Sequence, residues 1–121
     1  MKKLFLIVSI FVFAQACTTT TQNLYYWGEY ESLVYEMYAK PGKATPAIQI
    51  DKLTEAIKLA EGKGLLPGPG MYAHLGFMYA IVNKPTQSQA AFEKELELFP
   101  ESQVLIEGML KRAAQQNKET F

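Results

Sequence analysis

Apolar residues recur three and four positions apart along most of this chain, and proline and glycine interrupt the pattern at four places. This spacing is typical of amphipathic α-helices, and few runs alternate with the period of two that strands show. The interruptions separate short segments, and short connections favour antiparallel neighbours. The pattern therefore predicts an all-α fold of antiparallel helix pairs, with five helices over 28–39, 46–61, 71–82, 86–99 and 101–115.

Local signals at the helix ends refine this prediction. Thr45 followed by Pro46 is typical of a helix start, with a hydroxyl N-cap and proline at the first helical position. Thr86 with Gln89 has the spacing of a capping box for the fourth helix. The polar residues 116–121 are predicted to be a frayed tail.

The N-terminal residues differ in composition from the rest of the chain. Lys2 and Lys3 precede the ten-residue apolar run 4–13, and a short segment that ends at Ala16 follows. This layout is typical of a secretory signal peptide, which we assign to residues 1–16. The apolar run is too short for a transmembrane helix, which needs about 20 apolar residues.

Cys17 is the only cysteine of the chain, and it directly follows the predicted signal peptide. The junction resembles the signal of bacterial lipoproteins, which implies that Cys17 becomes the first residue and carries a diacylglycerol on its sulfur. An ordinary secretory cleavage nearby is the alternative. Thr18 rather than aspartate comes next, and the resemblance to Gram-negative lipoproteins then implies transport to the outer membrane. Residues 17–24 are interpreted as the lipidated cysteine and a polar tether.

Seven residues in the segment 71–100 fall at fixed spacings: Tyr72, Leu75, Gly76, Tyr79, Ser88, Phe92 and Pro100. In these positions the segment resembles a tetratricopeptide repeat, a pair of helices of 34 residues. Glu95 departs from the family, which has alanine there. Gly76 is expected to let the second helix approach closely, and Phe92 to pack into the gap. Because one repeat cannot bury both of its faces, we predict a tetratricopeptide-like domain over 25–115.

The same resemblance implies a partner-binding groove on the inner face of the first helix of the repeat. By register, this groove consists of Ala73, His74, Phe77, Ala80 and Ile81. These residues are mostly apolar, so we expect an apolar segment of a partner protein there rather than a captured carboxyl terminus. In the alternative, the first helix of the domain covers this face.

Three motifs are spread over most of the chain after Cys17: YYWGEYESLVY at 25–35, AHLG at 73–76 and EKELELFPES at 93–102. Together they resemble a family of small bacterial lipoproteins. The resemblance implies a lipid-anchored protein on the periplasmic face of the outer membrane, often encoded beside a lipoprotein that resembles the curli secretion channel. We therefore expect a protein–protein interaction module, an accessory of secretion or surface assembly, with that channel-like lipoprotein as partner. A structural envelope lipoprotein is the alternative.

The sequence carries no pattern for catalysis or for a cofactor. The single cysteine and the single histidine, His74, give no paired spacing for a metal ion. The segment GPGMYA at 68–73 matches a dinucleotide fingerprint only in its spacing, because no strand is predicted before it. The formal net charge is zero without a basic block, which excludes a nucleic-acid-binding surface. We predict a non-enzyme with no cofactor, no metal and no small-molecule substrate.

Two polar and aromatic stretches leave alternatives open. Glu93, Glu95 and Glu97 are expected to form a solvated acidic face, and a small envelope hydrolase using Glu93 and Glu97 is the further alternative. The aromatic stretch LYYWGEY at 24–30 is expected to pack under the helices as part of the core. Contact of these aromatic side chains with the membrane interface is the alternative.

Overall fold

The computed structural model describes residues 23–119. Its five α-helices are α1 (Tyr30–Ala39), α2 (Pro46–Gly62), α3 (Met71–Ile81), α4 (Pro85–Leu98) and α5 (Gln103–Glu119). Two-residue strands, β1 (Tyr25–Tyr26) and β2 (Leu66–Pro67), and two 3₁₀ turns, Pro41–Lys43 and Pro100–Ser102, complete the elements. The predicted all-α class with about five helices is confirmed. The predicted signal peptide, Cys17 and the tether as far as residue 22 lie outside the described residues.

Helix α3 lies at the centre of the structure and packs against α2, α4 and α5. Its sequence is apolar nearly all round, and a helix of that kind is stable only where neighbours cover every side. Six of its eleven residues are buried: Met71, Ala73, His74, Leu75, Gly76 and Met78. The position of α3 therefore decides which surfaces of the other helices are covered.

The core consists of two clusters that α3 joins. The larger cluster links α1, α2, α3 and α4 and contains Leu33, Leu53, Ile57, Met71, Leu75, Met78 and Ala91. The smaller cluster contains Ala73, Phe92 and Ile106, and so ties α3 to α4 and α5. Phe77 packs against both clusters from the middle of α3.

The N-terminal aromatic segment is held by a short parallel strand pair. Tyr25 pairs with Leu66 and Tyr26 with Pro67, and the N–H of Gly68 donates to the carbonyl of Tyr26 at 3.2 Å. Tyr25 and Tyr26 are half-buried. This stretch thus packs partly against the helices, with other aromatic side chains left exposed.

Two of the predicted helix starts can be compared with the structure. Thr45 caps α2 as expected, since its hydroxyl accepts a hydrogen bond from the N–H of Ile48 at 3.4 Å. The capping box of Thr86 and Gln89 is wrong. Helix α4 begins one residue earlier, at Pro85, without a side-chain cap, because proline at the first helical position already has a helical φ. Gln89 instead donates to Glu93.

The last helix also differs from its prediction. A 3₁₀ turn occupies Pro100–Ser102, so α5 begins at Gln103 rather than at residue 101. The helix continues to Glu119, four residues beyond the predicted end at residue 115 and into the predicted frayed tail. Ala113 and Ala114, in its C-terminal half, line a cleft together with residues of α4.

Candidate functional site

The structure separates the five residues of the predicted groove. Ala73 and His74 are buried, whereas Phe77, Ala80 and Ile81 are half-buried. Ala73 belongs to the cluster shared with α4 and α5. His74 faces α1 and α2 instead. These residues therefore do not line one continuous open groove, and of the five only Ala80 lines a surface cleft described below.

His74 is a packed residue with a defined hydrogen-bond partner. Its Nε2 lies 2.7 Å from Oε1 of Gln49 on α2, and the ring of Tyr30 on α1 meets it edge-on with centroids 5.8 Å apart. The side-chain amide of Gln49 donates to the carbonyl of Ala44 at 2.6 Å, so its oxygen is the atom left to face His74. The neutral imidazole therefore donates from Nε2. Burial lowers the pKa of His74 to about 4.

Glu95 is the largest departure from the sequence prediction. It was expected on a solvated acidic face, but its side chain is fully buried. One carboxylate oxygen accepts hydrogen bonds from the N–H of Gly70 at 2.7 Å and from the hydroxyl of Ser102 at 2.9 Å. The other accepts from the N–H of Ala73 at 3.2 Å. The N–H of Ala73 lies in the first turn of α3 and that of Gly70 directly before it. A negative charge at this end of a helix is stabilised by the helix dipole.

The Glu95 carboxylate thus caps a helix from a different part of the chain. Gly70, the residue before α3, has a φ of 92°, and it has no side chain with which to cap the helix. Tyr30 also meets this corner, with its hydroxyl 3.5 Å from the carbonyl of Gly70. Burial and the nearby charge of Glu95 raise the pKa of Tyr30 to about 12. The corner is a structural junction of α1, α3, α4 and the turn before α5.

An open, mostly apolar cleft of about 530 Å³ lies between α4 and α5, and we call it the α4–α5 cleft. Helix α4 contributes Pro85, Ser88, Gln89, Phe92, Glu93 and Leu96, and helix α5 contributes Ile106, Leu110, Ala113 and Ala114. Ala80 and Asn83, at the end of α3, close one end. The surface is mostly apolar along its length, with polar groups at the rim.

The dimensions of the α4–α5 cleft match an elongated occupant. Pro85 and Leu96 lie eleven residues apart on α4, which corresponds to about 16 Å along a helix axis, or three turns. Leu110 is 46% exposed at the edge of the cleft. An apolar helix laid along α4 and α5 would cover this length, as in helix-in-groove recognition.

The two carboxylates of the hydrolase alternative lie on exposed positions of α4. Glu93 is at the rim of the cleft and accepts from the side chain of Gln89 at 2.8 Å. Glu97 forms an ion pair with Lys94 at 2.9 Å. Both carboxylates are therefore engaged with neighbours on their own helix.

A second, smaller cleft of about 270 Å³ lies between the N-terminal segment, α1 and α2. Tyr26, Leu33 and Leu59 line it together with Lys52, whose ammonium is 3.6 Å from the carboxylate of Glu36.

Within residues 23–119, no group of three or more His, Cys, Asp or Glu side chains is arranged to hold a metal ion. No helix in this range has the length and apolarity required to cross a bilayer.

Sequence reasoning missed Glu95 and the α4–α5 cleft. A signal for Glu95 was present, because Ser88, Phe92, Glu95 and Phe99 follow one another at spacings of four, three and four. That spacing puts Glu95 on the buried face of α4. The cleft has no comparable signal, since it depends on how α5 lies across α4.

The chain was compared with known protein families, curated proteins and solved structures. A family model described as a domain of unknown function (DUF4810) matches residues 24–109, which includes all of the described elements up to the first half of α5. No curated protein and no solved structure matches the chain.

Proposed function

The chain belongs to the DUF4810 family, a domain of unknown function. We propose that this protein is a protein–protein interaction module anchored in the outer membrane. The observation that carries this proposal is the α4–α5 cleft, whose apolar surface is open along three turns of helix. A concave, mostly apolar cleft between two helices is the kind of surface in which proteins accept a helix of a partner. Its expected occupant is an apolar helix of a partner.

The proposal includes a tetratricopeptide-like pairing of α3 with α4, which is supported by the close contact between these two helices. A Cβ atom on Gly76 would lie 2.9 Å from the ring of Phe92, so α3 and α4 approach closely at this point. The hydroxyl of Ser88 donates to the carbonyl of Gly76 at 2.8 Å in the same interface. Helix α5 then corresponds to the first helix of a further repeat. In stacked repeats each unit packs against its neighbour, and the cleft lies where a second helix of that repeat would pack.

The proposed anchor is a diacylglycerol on Cys17, with the domain on the periplasmic face of the outer membrane. The sequence supports this through the apolar run 4–13, the small residue Ala16 before Cys17 and the threonine after it. One acyl chain binds a membrane only marginally, whereas two or more anchor it stably. The proposed partner is a component of a secretion or surface-assembly system, and the lipoprotein that resembles the curli secretion channel is the first candidate.

Substitutions on α5 test this proposal with a matched control. Leu110→Glu puts a charge into the apolar cleft at a position that is already partly exposed, so the fold is expected to tolerate it. Val104 lies on the same helix, is 80% exposed and does not line the cleft. We expect Leu110→Glu to abolish co-purification of the partner and Val104→Glu to retain it. If both variants retain the partner, the cleft is not the binding site, and a structural envelope lipoprotein becomes the better account.

A further inference from the structure

Exposed aromatic and apolar side chains lie together on the N-terminal segment and the outer face of α1. This surface, which we call the aromatic flank, consists of Leu24, Trp27, Tyr35 and Tyr38. Tyr35 and Tyr38 are three residues apart and so share a face of α1. Trp27 and Val34 line one shallow depression with Glu31, and Glu31 and Tyr35 line the next. Trp27 and Tyr35 are therefore connected through Glu31, which lines both depressions. Tyr38 lies on the same face of α1 as Tyr35, and Leu24 lies three residues before Trp27.

Trp27 is held in position while part of its ring stays exposed. Gly68 lies directly against the indole, so that a Cβ atom there would overlap the ring. The rings of Tyr25 and Tyr30 lie 6.4 and 6.0 Å away by their centroids. Even so, Trp27 is 46% exposed. The indole is thus fixed by its neighbours, and its presentation needs no rearrangement.

The aromatic flank lies where the chain enters the described domain. Leu24 and Trp27 come directly after the six polar residues 18–23 that follow Cys17. Six residues span at most about 20 Å when fully extended. With a lipid on Cys17, Leu24 at the start of the flank is therefore bound to lie within about 20 Å of the bilayer surface.

The charges near the flank are mainly acidic. Glu29, two residues after Trp27, and Glu31 are exposed. Lys40 is the exposed cation of the depression that Glu31 and Tyr35 line, and Glu36 in that depression is paired with Lys52. Tryptophan and tyrosine are the residues that concentrate at the boundary between headgroups and acyl chains. Because the charges beside these aromatic side chains are mainly acidic, the flank matches a zwitterionic lipid interface better than an anionic one, which would repel them.

We propose that the aromatic flank inserts into the lipid interface, with Trp27 at headgroup depth, and so fixes the orientation of the domain on the membrane. The proposal rests on the lipid anchor of the proposed function. It adds a second contact with the bilayer that the anchor alone does not require. The α4–α5 cleft is then presented to partners in one orientation rather than many.

Trp27 is the only tryptophan of the chain, so its fluorescence reports on the flank alone. The test uses the acylated protein, purified from cell membranes and reconstituted into phosphatidylcholine vesicles. We expect emission at shorter wavelength than for the Cys17→Ser protein in buffer, loss of quenching by acrylamide, and quenching by lipids brominated near the headgroup. Adding phosphatidylglycerol should not strengthen these effects, because Glu29 and Glu31 beside the flank are acidic. Emission and acrylamide quenching equal to those of the protein in buffer would overturn the proposal.

A second experiment tests membrane contact of the flank independently of lipid attachment to Cys17 in cells. The thiol of unacylated Cys17, unique in the chain, is coupled to a maleimide phospholipid in the same vesicles. If cells do not acylate Cys17, the proposed function fails, and this experiment still tests the flank. If the coupled protein shows no quenching by brominated lipid, the flank proposal fails while the anchor stands. If acrylamide fails to quench Trp27 in intact envelopes but quenches it on vesicles, a protein rather than lipid covers the flank. This result would also overturn the proposal.

A substitution with a matched control completes the test. Tyr38 is 79% exposed, so Tyr38→Ser should leave the fold intact and reduce the quenching of Trp27 by brominated lipid. Val104→Ser changes an equally exposed side chain on α5 and should leave that quenching unchanged. Equal quenching in the two variants would show that Tyr38 does not contact the lipid. It would contradict the proposal that the whole aromatic flank inserts into the membrane.

Discussion

The carboxylate of Glu95 accepts a hydrogen bond from the backbone N–H of Gly70 at 2.7 Å, across 25 residues of sequence. Through this bond and those from Ala73 and Ser102, one side chain of α4 caps α3 and fastens the turn that leads into α5. The α4–α5 cleft is formed by the same two helices. The buried charge therefore helps to set the geometry of the proposed binding surface.

Replacing Glu95 by glutamine should destabilise the domain strongly. The amide NH₂ cannot accept the hydrogen bond that one carboxylate oxygen now accepts, and a buried donor is left without a partner. We expect the free energy of unfolding to fall by about 3 kcal/mol, measured by urea denaturation. Glu93→Gln, an exposed position on the same helix, should change it by less than about 0.5 kcal/mol. Similar losses in the two variants would contradict the capping role of Glu95.

His74 should make the stability depend on pH. Its pKa in the folded protein is about 4, below the usual value of about 6.5, so between these values only the unfolded chain takes up the proton. The contribution of His74 to the free energy of unfolding is therefore largest above pH 6.5, and it decreases as the pH falls toward 4. We expect a loss of about 2 kcal/mol between pH 7 and pH 5.

The control for this pH effect is simple because His74 is the only histidine. His74→Gln should remove most of the decrease between pH 7 and pH 5 even though it lowers the stability overall. Urea denaturation at several pH values measures the slope. A slope in His74→Gln equal to that of the parent protein would show that His74 is not the group responsible.

Two glycines in the middle of helices should respond in opposite ways to alanine. A Cβ on Gly76 would lie 2.9 Å from the Phe92 ring, so Gly76→Ala should cost about 1–3 kcal/mol by overpacking. The nearest atom to a Cβ on Gly108 is the end of the Arg112 side chain at 3.9 Å, and Gly108→Ala should stabilise α5 by about 0.5–1 kcal/mol. Thermal unfolding measures both. Tolerance of Gly76→Ala would be inconsistent with the close approach of α3 and α4. Destabilisation by Gly108→Ala would contradict the open space beside Gly108 on α5.

Cys17→Ser tests the proposed anchor. We expect the variant to appear in the soluble periplasmic fraction or to retain its signal peptide, as seen by fractionation and mass spectrometry. Thr20→Ser, in the same polar stretch, should remain in the membrane fraction at the mature mass. A Cys17→Ser protein that stays in the membrane at the mature mass would rule the anchor out.

The helices were predictable because their apolar spacing and their prolines are local features of the sequence. The two-residue pairing of Tyr25–Tyr26 with Leu66–Pro67 was not, since strands this short have no period. The contact between His74 and Gln49 likewise joins residues 25 apart in the sequence. Glu95 lay on the apolar stripe of α4, but a charged residue is buried only where donors converge on it, and those donors come from other elements.

The predicted groove on α3 also could not be judged from local features of the sequence. Its residues follow from the register of α3, whereas exposure depends on which helices cover that register. Tyr30 and Gln49 cover the part at His74, and Phe77 is enclosed between both core clusters. A charge at Phe77 would therefore test folding rather than binding, which makes Leu110 the better position.

The most direct test of the proposed function is site-specific crosslinking in intact cells. A photoreactive amino acid is placed at position 110, at the edge of the α4–α5 cleft, or at position 104, outside it on the same helix. After irradiation, the adducts are identified by mass spectrometry. We predict that position 110 crosslinks to one envelope protein and position 104 does not. The absence of an adduct at position 110, or the same adducts from both positions, would contradict the cleft as the partner-binding site.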